Sequence, residues 1–260
     1  MKLEQIGKIL FKESVDRIPD LKRIKNKNLV DLVVLTGSVV RGNSDASSDI
    51  DLFFVVPLAT EKKYKLKPEY SFNYIINKKD TKIEISFVTT EKLINDQITK
   101  NHIFWWYKSI PVYYKNKSIL NILQKASNYS KEEYLDKLWT LNFMFKLGIY
   151  EFEKNTKRFG ENNLTASIIY FDCIRNFTEF YLLTKRKIIR FNSFEQELNK
   201  IDKSFFDNQN FMIIDLSARK KILENCNSKI DELLLANKFK KAQIENWSSF
   251  GLTHLNFQKY

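Results

Sequence analysis

Two short apolar runs, Leu32-Val33-Val34-Leu35 and Leu52-Phe53-Phe54-Val55-Val56, enclose the segment that most restricts this chain: Thr36-Gly37-Ser38-Val39-Val40-Arg41-Gly42, a polar stretch, then Asp49-Ile50-Asp51. A short β-rich run ended by glycine reads as a buried strand stopping at a tight turn. Gly37 lets main-chain N–H groups approach a ligand closely. The Ser38 hydroxyl and those N–H groups suit phosphate oxygens, and Arg41 and Gly42 begin a short turn or helix whose N-terminus favours an anion. Alone, Gly37-Ser38 could equally be an ordinary strand-ending turn, with Asp45, Ser47 and Ser48 as solvated loop residues.

The two aspartates decide between those readings. In a strand, side chains at i and i+2 share a face, so Asp49 and Asp51 sit side by side. Two like charges so close raise one pKa or demand a cation, and hard oxygen ligands suit Mg²⁺ held jointly with substrate phosphates. A third carboxylate lies in Lys82-Ile83-Glu84-Ile85-Ser86-Phe87-Val88, where apolar and polar residues alternate as in a half-buried strand and Glu84 faces away from the apolar set. Pairing of this strand beside the Asp49/Asp51 strand would gather three carboxylates able to bind one or two magnesium ions, an arrangement that stabilises in-line phosphoryl displacement.

With these residues in view, the chain resembles the DNA polymerase β-like nucleotidyltransferase superfamily, whose pattern is a strand, Gly-Ser, a short helix, Asp-x-Asp and a later acidic strand. Gly37-Ser38, Asp49-x-Asp51 and Glu84 match it across roughly residues 30–90. Within that superfamily the chain is similar to bacterial antibiotic nucleotidyltransferases of the kanamycin and lincosamide type. The resemblance implies Asp49 and Asp51 on magnesium and the triphosphate, Gly37, Ser38, Arg41 and Ser48 at the nucleotide, and Glu84 as third acid, either ligand or base for the acceptor hydroxyl. In some relatives the base comes from the helical domain; Asp136, Glu151 and Glu153 are candidates here. The implied activity is magnesium-dependent transfer of AMP from ATP to a hydroxyl of a small molecule such as an aminoglycoside or lincosamide, with pyrophosphate release. The alternative acceptor is a macromolecule, a tRNA end or a protein hydroxyl, as in toxin–antitoxin nucleotidyltransferases.

The expected fold is α+β: a small catalytic domain over residues 1–116, with a mixed, twisted sheet flanked by helices, then a helical bundle over 117–260. Residues 2–16 read as a helix. Strands are expected near 31–36 and 50–56, a hairpin from 70–76 and 82–88 turning at Asn77-Lys78-Lys79-Asp80, a helix capped by Thr89 or Thr90, and an edge strand at Ile110–Tyr114, where Pro111 cannot donate to a ladder. Recurrent apolar spacing predicts long helices beyond Lys117, including 161–186 and 214–238, with Gly148 permitting close packing and Gly160, Asn162 and Asn163 marking a turn.

Composition narrows the setting. Cys173 and Cys226 are the only cysteines, which rules out a disulfide framework and predicts buried thiols. Met1-Lys2-Leu3-Glu4-Gln5-Ile6 begins an amphipathic helix and no apolar stretch reaches about 20 residues, so a cytoplasmic protein is expected. The net charge of +12 raises nucleic acid as a partner but also attracts ATP. Basic residues are scattered, as at Lys62, Lys63, Lys65, Lys67, Lys78 and Lys79 and again at Lys185, Arg186, Lys187 and Arg190, within a chain rich in Lys, Asn and Ile. Most of the dense aromatics, among them Trp105, Trp106, Tyr107, Phe171, Phe177, Phe180 and Tyr181, are expected in the core. His102 and His254 are assigned no role.

Overall fold

The computed structural model describes residues 2–42, 48–76, 78–160, 163–185 and 216–236. They fall into two compact units that divide between Glu132 and Glu133.

The first unit starts with helix α1 (Leu3–Arg17), which turns Ile6 and Leu10 inward, and α2 (Pro19–Asn26), whose Pro19 sits at the first helical position, where no amide donor is required. Strand β1 (Leu32–Thr36) leads into the short helix α3 (Gly37–Arg41), followed by β2 (Ile50–Val56) and α4 (Leu58–Tyr64). The hairpin β3 (Glu69–Ile76) and β4 (Lys79–Thr89) comes next, then α5 (Thr90–Thr99), α6 (Ile103–Trp106), β5 (Ile110–Tyr114) and α7 (Lys117–Ala126). Thr89 is the α5 cap, accepting from the Lys92 amide at 3.1 Å.

The sheet runs β3-β4-β2-β1-β5, with β2 and β4 parallel and the other neighbours antiparallel. Alternation along each strand builds two cores. Val33, Leu35, Leu52, Phe54, Ile83 and Ile85 pack with Leu10 and Leu21 on one face, whereas Leu32, Val34, Val55 and Val88 pack with Leu93, Trp106 and Leu123 on the other. The strands, the hairpin and the edge position of Pro111 agree with the expectations from sequence; α2 and α4 are additional. The expected boundary at 116/117 falls before α7, whose Ile119, Leu123 and Ala126 bury into the second core, so α7 belongs to the sheet unit and the division lies beyond it.

The second unit comprises α8 (Lys131–Phe159), α9 (Leu164–Thr184) and α10 (Leu216–Ala236) among the described residues. Gly148 is the close approach of α8 to α9: a Cβ there would lie 2.4 Å from Cys173 Sγ. Phe145 against Phe177 and Phe152 against Tyr170 continue the seam, and Phe180 and Tyr181 are buried while Phe171 is exposed. Cys173 and Cys226 are buried free thiols. Burial pushes the Cys173 thiol up to about 12 and raises Cys226 as well. Asn163 accepts from the Thr165 amide and starts α9, while Asn162 and the basic residues Arg186, Lys187 and Arg190 lie outside the described residues, as does His254. No helix among the described residues is long and apolar enough to cross a membrane.

Candidate active site

Strand register assembles a polar row across one end of the sheet. Thr36 stands opposite Asp51, Asp51 opposite Glu84, and Glu84 opposite Ser71. All lie in phase with Val34, Val55 and Val88, on the face that α5, α6 and α7 cover. The expected pairing of the Glu84 strand beside the Asp51 strand is present, its orientation is parallel, and it places the Asp51 and Glu84 positions side by side.

Gly37 closes this row from above. Its φ of +87° lies in the left-handed region, and a Cβ on it would stand 1.8 Å from Asp51 Oδ2. Two separate physical demands therefore fall on one residue: a backbone conformation that costs an ordinary side chain about 1–2 kcal/mol, and room for a carboxylate directly against the main chain. The turn that follows is wound as α3 and ended by Gly42 at φ +79°, whose amide reaches back to the Ser38 and Val39 carbonyls.

Asp49 precedes β2 and is more open than Asp51's strand neighbours. Lys82 spans the gap between acids: its ammonium bonds Glu84 and lies 3.6 Å from Asp49 Oδ2. The hydrogen bond it donates to Glu84, with the Glu84 and Asp49 charges adding to it, holds Lys82 above the usual lysine value. Among the described residues no three His, Cys, Asp or Glu side chains converge closely enough to hold one metal ion. Lys82 stands between two of the three acids at this end of the sheet, Asp49 and Glu84. The donor set itself, carboxylate oxygens beside a glycine cradle, suits a hard cation such as magnesium.

One contributor escaped the sequence reading. Asp96, with no exposed surface, lies 2.7 Å from His102 Nδ1 and accepts from Trp106 Nε1 at 2.9 Å. These bonds fix α6 against α5, and His102 stacks on Trp105 at 4.4 Å between ring centroids. The carbonyls of this fixed segment reach the Gly37 turn from both sides: Trp105 O accepts from Thr36 Oγ1 at 2.5 Å and Phe104 O from Arg41 Nη1 at 3.3 Å. An Asp and a His six positions apart beside a Trp are too common a combination to single out from sequence; only the α5–α6 packing makes them a unit.

Residues 20–113 match the model of the nucleotidyltransferase domain family. The chain carries a nucleotidyltransferase domain. That stretch runs from α2 into β5 and so contains the complete sheet row, and generic nucleotide transfer is the activity of such a domain. Among solved structures, the nucleotidyltransferase-like protein from Exiguobacterium sibiricum 255-15 is similar over 90% of this chain and 75% of that one, at 10% identity and a TM-score of 0.44. No curated protein sequence matches the chain.

Within the nucleotidyltransferase domain, Gly37, Ser38 and Arg41 stand on α3 next to Asp51, and Ser48 lies half-buried just before Asp49. Arg41 is already engaged with the Phe104 carbonyl. Asp45 and Ser47 lie outside the described residues. Of the candidate bases on α8, Asp136 and Glu153 are exposed and Glu151 binds the Lys154 ammonium at 3.2 Å.

Proposed function

We propose that this nucleotidyltransferase is a magnesium-dependent adenylyltransferase that moves AMP from ATP to a hydroxyl of a small molecule, an aminoglycoside or lincosamide antibiotic. The observation that carries the reading is the Asp51 carboxylate seated against Gly37, with Glu84 beside it and Asp49 two residues before. Carboxylate oxygens suit a hard cation held jointly with phosphates, and the left-handed glycine turn beside them offers main-chain amides to a triphosphate.

Asp49 and Asp51, with Glu84, are the residues that would hold magnesium, which when bound neutralises charge developing on the phosphates. The amides of the Gly37–Ser38 turn and the Ser38 hydroxyl take phosphate oxygens, and Arg41 orients them from α3. The acceptor oxygen bonds to the α-phosphorus as the bond to pyrophosphate breaks. Glu84 takes the acceptor's proton once Lys82 has left it, or serves as a ligand while another base does so. The positive charge of the chain suits lincosamide-like, weakly charged acceptors better than polycationic aminoglycosides. The same +12 charge is the observation that favours a second reading, a tRNA end or protein hydroxyl as acceptor.

Pyrophosphate release with ATP and magnesium, measured across aminoglycosides, lincosamides and bulk tRNA with Asp49→Asn as the blank, tests both. Release with one antibiotic class, absent in the blank, is the expected result. Release with tRNA alone replaces the first reading by the second, and release undiminished in Asp49→Asn removes the assigned site.

A further inference from the structure

The sheet has a second charged end. β1 and β2 are antiparallel, so the strand ends remote from Gly37 and Asp51 are Leu32 and Val56, the latter about 17 Å from Asp51 along β2 at roughly 3.3 Å per residue. The loop from α2 enters β1 there, and α4 leaves β2 there. Each brings a basic run: Lys22, Arg23, Lys25 and Lys27 from the first, Lys62, Lys63, Lys65 and Lys67 from the second. Scattered in sequence, the two runs meet in the fold. Arg23 donates to the Tyr64 carbonyl at 3.4 Å, and its guanidinium lies 4.7 Å above the Tyr64 ring. Lys27 and Lys63 approach the same ring at 5.7 and 5.9 Å, one from each run. Lys25 lies over Tyr113 at 3.9 Å and Lys67 over Tyr70 at 6.0 Å, extending the pattern of cations beside half-buried rings.

The acids at this end are largely engaged by local partners. Asp20 binds Arg23 and accepts from the Tyr70 hydroxyl, Asp31 accepts from Thr90 and faces Lys115, and Glu91 accepts from the Leu58 amide. Glu61 and Glu69 remain as the opposing charges beside the second run. Lys27, Lys63 and Lys67 are exposed.

We infer that this end of the sheet is a docking surface for the phosphate backbone of a nucleic acid, separate from the site of nucleotide transfer. Basic side chains interleaved with aromatic rings suit a strand whose phosphates are tracked by cations. A membrane surface fits less well: none of the described residues in the two runs is an exposed large apolar side chain of the kind that anchors in lipid.

The test is fluorescence anisotropy of a labelled single-stranded RNA of about 20 nucleotides titrated with the intact chain, at salt from about 50 to 200 mM. Engagement of four phosphates on a single strand weakens binding about fiftyfold over that range. The variant Lys27→Glu/Lys63→Glu/Lys67→Glu loses at least tenfold in affinity and most of the salt slope, and the milder Lys→Gln triple reproduces the direction should the first fail to fold. Asp51→Asn keeps full RNA affinity, which separates this surface from the transfer site. The control Lys154→Glu/Lys157→Glu/Arg158→Glu on α8 makes the same change in net charge and leaves binding intact. Equal loss in that control, unchanged binding in the Lys27/Lys63/Lys67 variants, or binding to phosphatidylserine vesicles without binding to RNA each overturns the inference.

Discussion

Gly37 and Gly148 look alike geometrically and differ in what they hold. At both, a Cβ would collide with a side chain from another element, Asp51 Oδ2 at 1.8 Å and Cys173 Sγ at 2.4 Å. In the sheet unit the neighbour is a charged group brought against the main chain in a left-handed turn; in the helical unit it is a neutral thiol kept protonated by burial. The first contact puts a carboxylate against a turn that can bind phosphate, the second fills space. Tight packing alone does not mark function; the chemistry of the atom packed does.

The comparison breaks most sharply at Asp51. Asp51→Asn keeps the shape and removes the charge, and should cut pyrophosphate release by about a thousandfold, the equivalent of the several kcal/mol a metal-bound charge contributes, with a melting temperature at or above the parent's. Retained turnover would reduce Asp51 to a packing residue like Cys173. Gly37→Ala comes next: the left-handed backbone alone costs about 1–2 kcal/mol, and displacing the carboxylate by about 1 Å costs on the order of a hundredfold in rate, so activity and thermal stability should fall together.

Gly148→Ala should lower stability by about 1–3 kcal/mol through overpacking while leaving the rate per folded molecule untouched. Combining it with Cys173→Ala removes the clashing sulfur, so the double variant should recover part of the loss; strict additivity of melting shifts would mean the two do not share a contact. The smallest effect is on pH. Because the folded Cys173 thiol sits near 12 and the unfolded one near 9.0, the unfolded chain ionises first and stability declines as pH climbs from about 9 toward 12, with no contribution below that window. Cys173→Ala and Cys226→Ala together should flatten this alkaline decline in urea melts.

The strands were legible because each is either continuously apolar, as Leu32–Leu35, or strictly alternating, as Lys82–Val88, and these patterns tolerate few alternatives. The acidic row was legible for the same reason: period-two spacing fixes which face Asp51 and Glu84 take once their strands pair. Helices α2 and α4 were not, since Leu21 and Ile24 are nearly all that α2 buries among its lysines, and α4 buries Thr60. Lys82 was read only as Glu84's neighbour along the strand, and its bridge to Asp49 follows from the parallel register. The Asp96–His102–Trp106 unit depends on how α6 lies on α5, which no local periodicity encodes.

The mixed sheet also sets an order of assembly. Thr36 and Asp51 meet through an antiparallel pairing that closes a short loop, while Glu84 reaches Asp51 only through a parallel crossover about twice as long in sequence. Loop-closure entropy favours the nearer pairing, so as the chain emerges during synthesis the glycine turn and its aspartate can associate before the glutamate strand exists. Glu84 is thereby the last of the three acids to join, and Lys82 arrives on the same strand, two residues ahead of it.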